Sequence, residues 1–421
     1  MSVLIRQTRI VDPRSEFNGK VVDVLFDGGK ISAIGEHLSA EGAKITEGEG
    51  LHLSPGWVDV FADYREPGYE HKETIATGLK AAEAGGFTDV LLAPNTAPAI
   101  SSKSTIQYIL QKAAGAPVRI HPLGSITQDL EGKTLAEMLD MHAHGALAFT
   151  DGWKPVQNAN LMLKALEYVK SFDGVLIQIP VDSALAAGGL MHEGEISTRL
   201  GMAGIPVLAE TIQLHRDLEL VRYTGSRMHI TGLSTAEGVE MIRRAKQEGL
   251  QVTCSVTPYH LALSEEALVH YDSGFKVTPV LRSEADRQAL IAGLADGTID
   301  CIASHHRPQE WDAKAKEFEY AADGMNIQEI SFPVLLDAVE GKVTVERLAD
   351  ALAIRPRSIF GLEQAIIQKD ASPSLTLFSL SETTAVNERD LVSLSRNNPF
   401  TGRKLRGKVH AILNNKNNYN D

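Results

Sequence analysis

The chain has 421 residues, and its 41 lysines and arginines against 54 aspartates and glutamates give a formal net charge of −13. This acidic balance argues against a nucleic-acid-binding surface, which would carry a basic stripe. Hydrophobic residues make up 43% of the chain, which is ordinary for a globular protein and excludes a disordered one. The two cysteines, Cys254 and Cys301, are too few for a disulfide framework or a Cys-rich zinc module, and we expect both to be buried and inert.

The chain has no run of about 18 apolar residues, which a membrane-spanning helix would need. Its first residues, MSVLIRQTRIVDPRSE, lack the pattern of a signal peptide. We therefore expect a soluble, cytoplasmic protein that binds neither membranes nor nucleic acid.

Short β-like runs separated by turn residues occupy the first fifty residues, after which the pattern changes. From about residue 54, apolar strand-like runs alternate with amphipathic helical stretches, as in a parallel α/β sheet. The predicted strands of this part are 57–61, 89–92, 118–122, 146–149, 175–179, 207–209, 228–230, 252–256 and 301–303.

This alternation predicts a closed (β/α)₈ TIM-like barrel, with an open doubly wound sheet as the alternative. No GxGxxG or GxxxxGK[ST] pattern follows any predicted strand, which disfavours nucleotide binding. Strand-like runs return near the C-terminus. We therefore predict a barrel over residues 54–364 and a small β-sandwich domain built from both chain ends, residues 1–53 and 365–421.

Residues 54–68, SPGWVDVFADYREPG, resemble the opening signature of the amidohydrolase superfamily, and REPG points to the dihydroorotases in particular. The resemblance continues at Asn95 in APNT and through GLMHEGEISTRLGMAGIPVLAE, residues 189–210. Two later landmarks, GLQVTCSVTPYHL at 249–261 and NPFTGRKLRGKV at 398–409, follow in the same order. On these motifs the chain is identified as a member of the dihydroorotase family, of the long type that associates with other enzymes. The resemblance implies an amidohydrolase-type barrel.

Active members of this family hydrolyse dihydroorotate to carbamoyl aspartate with zinc ions, which activate a water and polarise the carbonyl. The resemblance places the metal-ligand positions at Phe61, Asp63, Gly152, Ile179, Gly232 and His305. His305 stands where the family has its catalytic aspartate, and three of the replacements, Phe61, Ile179 and Gly232, have no side-chain ligand atom. We therefore expect no catalytic residue, no metal and no cofactor, as in degenerate members of the family.

The resemblance also assigns substrate-binding residues. Arg65 and Asn95 match the positions that hold the substrate carboxylate, a role that suits the bidentate guanidinium. Two further family positions are changed, to Thr278 and Gln309. Weakened binding of a small dicarboxylate such as dihydroorotate or carbamoyl aspartate is therefore expected. The alternative is that Arg65 forms a structural ion pair with Glu66.

Three functions remain open at this stage. The first is a non-catalytic, homo-oligomeric structural partner of aspartate transcarbamoylase in pyrimidine biosynthesis. The second is an active zinc-dependent dihydroorotase, or related cyclic amidohydrolase, whose site is rebuilt from Asp63, Asp151 and either His305 or His306. The third is a module that senses an anionic pyrimidine precursor.

Two polar residues near these positions are predicted to be structural. Asp59 is expected to anchor the loop after the first barrel strand, and His229 to be a hydrogen-bonded core histidine. Whether the barrel mouth is open or filled by Phe61, Tyr64 and Trp153 is left undecided by the sequence.

Overall fold

The computed structural model describes residues 2–48 and 50–414. Within these ranges the strands are β1 (Val3–Ile10), β2 (Val21–Asp27), β3 (Lys30–Gly35), β4 (Lys44–Thr46), β5 (Leu51–Pro55), β6 (Trp57–Ala62), β7 (Phe87–Leu92), β8 (Arg119–Pro122), β9 (Val175–Gln178), β10 (Met191–His192), β11 (Gly204–Ile205), β12 (Arg227–Thr231), β13 (Val252–Val256), β14 (Cys301–Ile302), β15 (Leu375–Ala385) and β16 (Lys404–Leu413). The α-helices of the same ranges are α1 (Ile75–Ala84), α2 (Lys103–Lys112), α3 (Met138–Ala143), α4 (Ala159–Lys170), α5 (Glu195–Leu200), α6 (Leu208–Thr224), α7 (Ala236–Gln247), α8 (Pro258–Ala262), α9 (Glu284–Ala295), α10 (Trp311–Lys314), α11 (Ser331–Ala338), α12 (Val345–Ala349) and α13 (Arg355–Ile359).

Eight parallel segments close into a barrel. Strands β6, β7 and β8 pair in that order, and β9, β12, β13 and β14 form a second parallel group. Phe149 joins the two groups, because it bridges Gly124 on one side and Leu176 on the other. A parallel bridge between Ala62 and His306 closes the ring. The predicted TIM-like barrel is therefore confirmed, and the open-sheet alternative is wrong.

The strand predicted at 207–209 is wrong, because these residues begin α6. A three-residue apolar run does not by itself distinguish a strand from the first turn of a buried helix. The helical spacing of the inward-facing residues settles the matter: Ala209, Gln213 and Asp217 are all buried.

The two chain ends form one sheet in the order β16-β15-β5-β1-β2-β3, with β4 beside β1. β5 pairs in parallel with β1 and antiparallel with β15, so it joins the N-terminal and C-terminal strands. Its inward residues belong to an apolar core that includes Phe26, Leu53, Leu375 and Leu413. The end of the predicted C-terminal segment, residues 415–421, lies outside the described residues.

The end of the barrel opposite the mouth is held by buried charges. Asp89 of β7 accepts from Arg357 at 2.7 Å, and both side chains are fully buried. Arg119 and His121 of β8 bond the same carboxylate at 2.8 and 2.9 Å. Burial alone would raise the pKa of Asp89, but the hydrogen bond from His121 and the two arginine charges outweigh it and lower that pKa well below its usual value.

Cys254 of β13 and Cys301 of β14 are both buried and unpaired, as expected. Burial raises the pKa of each thiol, so neither is a ready nucleophile. None of the helices described here is long and apolar enough to cross a membrane.

Candidate functional site

The residues that the sequence singles out lie at the carboxyl ends of the barrel strands, where barrels of this kind carry their functional groups. Phe61 lies near the end of β6, Asp63 follows it, and Trp153 is in the turn after Phe149. Gly232 follows β12, and His305 follows β14. We call these five residues the mouth cluster.

Three rings of the mouth cluster pack against one another. The ring centroid of Phe61 lies 4.9 Å from that of His305 and 5.2 Å from that of Trp153. The His305 and Trp153 centroids are 5.3 Å apart. Phe61 and His305 are completely buried. Tyr64 lies elsewhere, against Gly78 of α1, so the mouth is filled by Phe61, Trp153 and His305.

His305 is fixed as a neutral, buried ring. Its Nε2 lies 2.8 Å from the hydroxyl of Thr231, and its Nδ1 has no partner in the described chain. Burial lowers the pKa of His305 well below its usual value. The ring also takes the space beside Gly232, since a Cβ at position 232 would lie 2.6 Å from His305 Cε1. Any residue larger than glycine at position 232 would therefore collide with the His305 ring in this position.

Asp63 is engaged by its own neighbours. Trp153 Nε1 donates to Oδ2 at 2.8 Å, and the Arg65 guanidinium forms a salt bridge with the same oxygen at 3.2 Å. The Arg65 amide donates to Oδ1. The predicted Arg65–Glu66 ion pair is therefore wrong: Arg65 has a positive φ of 62°, and this turn directs its side chain back to Asp63, while Glu66 accepts from Tyr108.

Asp151 points away from the mouth cluster. Its Oδ1 accepts the amides of Ile126 and Thr127, both at 2.9 Å, and the Thr127 hydroxyl donates to Oδ2. Burial raises the pKa of Asp151 to about 6, although these hydrogen bonds favour the charged form. Its observed contacts are those of a residue that fixes a loop.

Gly152 cannot carry a larger side chain in this turn. Its φ is +59°, and a Cβ would lie 1.8 Å from Asn95 Oδ1. Asn95 donates to the Asp151 carbonyl and accepts from the Trp153 amide, each at 3.2 Å. Asn95 therefore fills the space beside position 152, and its side-chain amide holds the turn at 151–153 through these two hydrogen bonds.

The remaining candidate ligands are separated. Ile179 is buried in the same apolar cluster as Phe61. His306 points to the opposite side of the chain from His305, as strand alternation predicts, and its Nε2 lies 3.7 Å from Glu73. Across residues 2–48 and 50–414, no group of three or more His, Cys, Asp or Glu side chains is placed to hold a metal ion. The rebuilt set of Asp63, Asp151 and a histidine is thus not brought together there.

The two residues predicted to be structural both form buried hydrogen bonds. Asp59 is fully buried and accepts from the Ser304 amide at 2.9 Å and from Gln328 Nε2 at 2.6 Å. His229 bonds the hydroxyls of Thr253 and Ser255 at 2.8 and 3.0 Å. The His229 prediction is confirmed, whereas Asp59 bonds the segment after β14 and Gln328 rather than the loop after β6.

Thr278 and Gln309, at the two other altered family positions, organise one loop. Thr278 donates to the carboxylate of Asp323 at 2.7 Å, and Gln309 Nε2 donates to the Asp323 carbonyl at 2.6 Å. Lys72 donates to the other end of the Gln309 amide at 2.8 Å. Both polar side chains are therefore used within the protein.

Arg307 is the mouth residue that sequence reasoning missed. Its guanidinium carbon lies 4.5 Å from the ring centroid of Trp153, in a cation–π contact. The signal was an arginine placed directly after the His305-His306 pair, at the end of the last barrel strand.

The fold belongs to the class of (β/α)₈ barrels that carry a β domain built from both chain ends. A solved structure with this fold is the L-hydantoinase (dihydropyrimidinase) from Arthrobacter aurescens, with a TM-score of 0.84 over 98% of this chain and 94% of that one, at 23% identity. A family described as dihydro-orotase-like matches residues 50–238.

Full-length relatives identify the family. A dihydroorotase from Syntrophus aciditrophicus is 40% identical over 417 residues, which covers 98% of each chain. A dihydroorotase from Geobacter sp. strain M21 is 39% identical over 417 residues, again 98% of each. The chain belongs to the dihydroorotase family.

Proposed function

We propose that this protein is a dihydroorotase homologue without a catalytic metal centre, which acts as a structural partner of aspartate transcarbamoylase in pyrimidine biosynthesis. The observation that carries the first part is the pair of exchanges at the mouth. His305 fills the space beside Gly232, and Asn95 fills the space beside Gly152. A glycine at each position is therefore part of a packed arrangement.

The residues present do not fit the zinc that the family implies. Zinc in proteins takes imidazole, thiolate or carboxylate ligands that converge on one point. Here Phe61 and Ile179 contribute only hydrocarbon, and the carboxylate of Asp63 is engaged by Trp153 and Arg65. We therefore derive no catalytic step through a metal.

Metal content and turnover test the first part. After incubation with zinc and desalting, we expect close to zero zinc per chain by inductively coupled plasma mass spectrometry, and no hydrolysis of dihydroorotate. One or two zinc ions per chain together with turnover would instead favour the rebuilt enzyme. In that case Asp63→Ala and His305→Ala should abolish activity, with the exposed Asp312→Ala as the matched control.

The partner role is supported by what the chain retains. It aligns with named dihydroorotases over 98% of its length, and its barrel and terminal sheet are complete despite the altered ligand positions. A protein that keeps the family's fold but lacks its catalytic centre is suited to holding another enzyme in an assembly. Dihydroorotases of the long type are known for such association with aspartate transcarbamoylase.

Size-exclusion chromatography with light scattering tests the partner role. We expect this chain and the aspartate transcarbamoylase of the same organism to elute as one complex of larger mass, and the chain alone to elute as a homo-oligomer. Separate elution at micromolar concentrations of both proteins would refute the role. A transcarbamoylase from an unrelated organism is the control for nonspecific association.

Binding of dihydroorotate or carbamoyl aspartate through Arg65 and Asn95 stays a prediction. Both side chains have partners within the protein, namely Asp63 for Arg65 and the turn at 151–153 for Asn95. Binding through these residues would have to replace those contacts, and calorimetry with each compound measures whether it does.

A further inference from the structure

The guanidinium of Arg307 forms no direct ion pair with any described residue. Within residues 2–48 and 50–414 it has neither a salt bridge nor a side-chain hydrogen bond, and its Nε is buried without a partner. An unpaired charge in a partly desolvated position is costly, so such a group has much to gain from an anion. Its one close side-chain contact is the face of Trp153, at 4.5 Å.

Charges of both signs act on Arg307. Burial and the neighbouring charge of Arg65 lower the pKa of Arg307, whereas the carboxylates of Asp323 and Asp63 raise it. Arg65 is paired with Asp63, and its own Nε is also buried without a partner.

The charge balance around Arg307 follows from these contacts. The charges of Arg65 and Asp63 cancel, and Asp323 lies beyond salt-bridge distance of Arg307 although it favours its charged form. Arg307 thus has carboxylates near it but no direct ion-pair partner within the described ranges. Arg307 and Trp153 are both half-buried residues, so part of each is exposed to solvent, although the Arg307 Nε itself is buried.

We propose that Arg307, stacked on Trp153 and flanked by Arg65, forms a binding site for the carboxylate of a small organic acid at the barrel mouth. A guanidinium presents a planar pair of N–H donors that matches a carboxylate, and the aromatic face fixes the plane of the fork. The terminal N–H groups of Arg307, which form no hydrogen bond within the described residues, supply the donors. The site needs no metal and does not depend on the proposed assembly role.

Calorimetry of the purified chain with succinate, in low salt and EDTA, tests this site. We expect saturable binding that weakens as salt is added, and at least a tenfold loss in Arg307→Gln. Arg307→Lys keeps the charge but lacks the planar pair of donors. Its affinity for succinate should lie between those of the wild type and Arg307→Gln. The fluorescence of Trp153 provides a second readout, since its ring stacks on the binding group; the change should be absent in Trp153→Phe.

The matched control is Arg403→Gln, which removes another arginine stacked on an aromatic ring, that of Phe400 at 5.1 Å. It should bind succinate as the wild type does. Equal affinity of wild type and Arg307→Gln, no binding of succinate at millimolar concentration, or phosphate binding as tightly as succinate would each overturn the assignment. Because the chain is tested alone and without metal, these outcomes are distinct from a failure of the transcarbamoylase complex to form.

Discussion

The imidazole of His305 lies beside the Cα of Gly232, so close that a Cβ added to the glycine would be 2.6 Å from the ring. One position carries a bulky ring and the other has no side chain. Because the two residues follow different strands, β14 and β12, their packing joins two parts of the barrel that are 73 positions apart in the sequence. The stability of the mouth therefore depends on both.

Gly232→Ala should lower the free energy of unfolding by about 2–4 kcal/mol, from the contact with His305 and from its positive φ of 74°. Urea denaturation measures it. Gly249→Ala is the matched control, because Gly249 has a similar φ of 81° with nothing within 4 Å, and it should cost only about 1 kcal/mol. In a His305→Ala background the cost at 232 should fall to that of the control; an unchanged cost would mean that the imidazole is not the obstacle.

Asp151 should make stability fall as the pH rises from about 4 to 6. Burial raises its folded-state pKa from 3.8 to about 6, so in this window the folded state binds more protons than the unfolded state. The loss amounts to at most about 3 kcal/mol. Asp217 has a similarly raised pKa, so the measurement is the difference between wild type and Asp151→Asn.

Relative to the wild type, Asp151→Asn should gain stability as the pH rises through this window, measured by urea denaturation at a series of pH values. Asp312→Asn, an exposed change, is the control and should follow the wild-type profile. A difference between Asp151→Asn and wild type that stays constant from pH 4 to 7 would contradict the raised pKa.

Asp89→Asn should destabilise the barrel by about 3–5 kcal/mol, because it leaves the fully buried Arg357 without its carboxylate. Glu363→Gln is the control: Glu363 pairs with Arg119 from a side chain that is 78% exposed, and its loss should cost less than about 1 kcal/mol. Thermal or urea unfolding gives both values. Comparable losses of stability in the two variants would show that burial does not determine how much each ion pair contributes.

Glu73→Gln should loosen the segment 391–397. Glu73 is fully buried, and it accepts from the Ser393 hydroxyl and from the Leu394 amide at 3.1 Å. We expect faster amide hydrogen exchange in this segment and a loss of about 2–3 kcal/mol, typical of a hydrogen bond to a charged group. The exposed Glu70→Gln should leave exchange at 391–397 unchanged, and protection equal to wild type in Glu73→Gln would refute the tether.

The sequence predicts the barrel because alternating strand and helix periods are local signals, and it predicts the mouth positions through the resemblance. It does not predict which contacts those residues make. Two carboxylates, Asp63 and Glu66, lie near Arg65 in sequence, and their spacing does not reveal that Arg65, with its positive φ, pairs with Asp63. The bond from Trp153 to Asp63 spans 90 residues, and no local pattern encodes it.

The position of β5 between β1 and β15 has a consequence for synthesis of the chain. β5 is complete after 55 residues, but its antiparallel neighbour begins only at Leu375. A nascent chain on the ribosome therefore carries an unpaired strand edge while nearly the whole barrel emerges, and such edges invite pairing with other chains. Until the last fifty or so residues are synthesised, the unpaired edge of β5 would have to be kept from pairing with other chains, either by a chaperone or by early folding of the barrel.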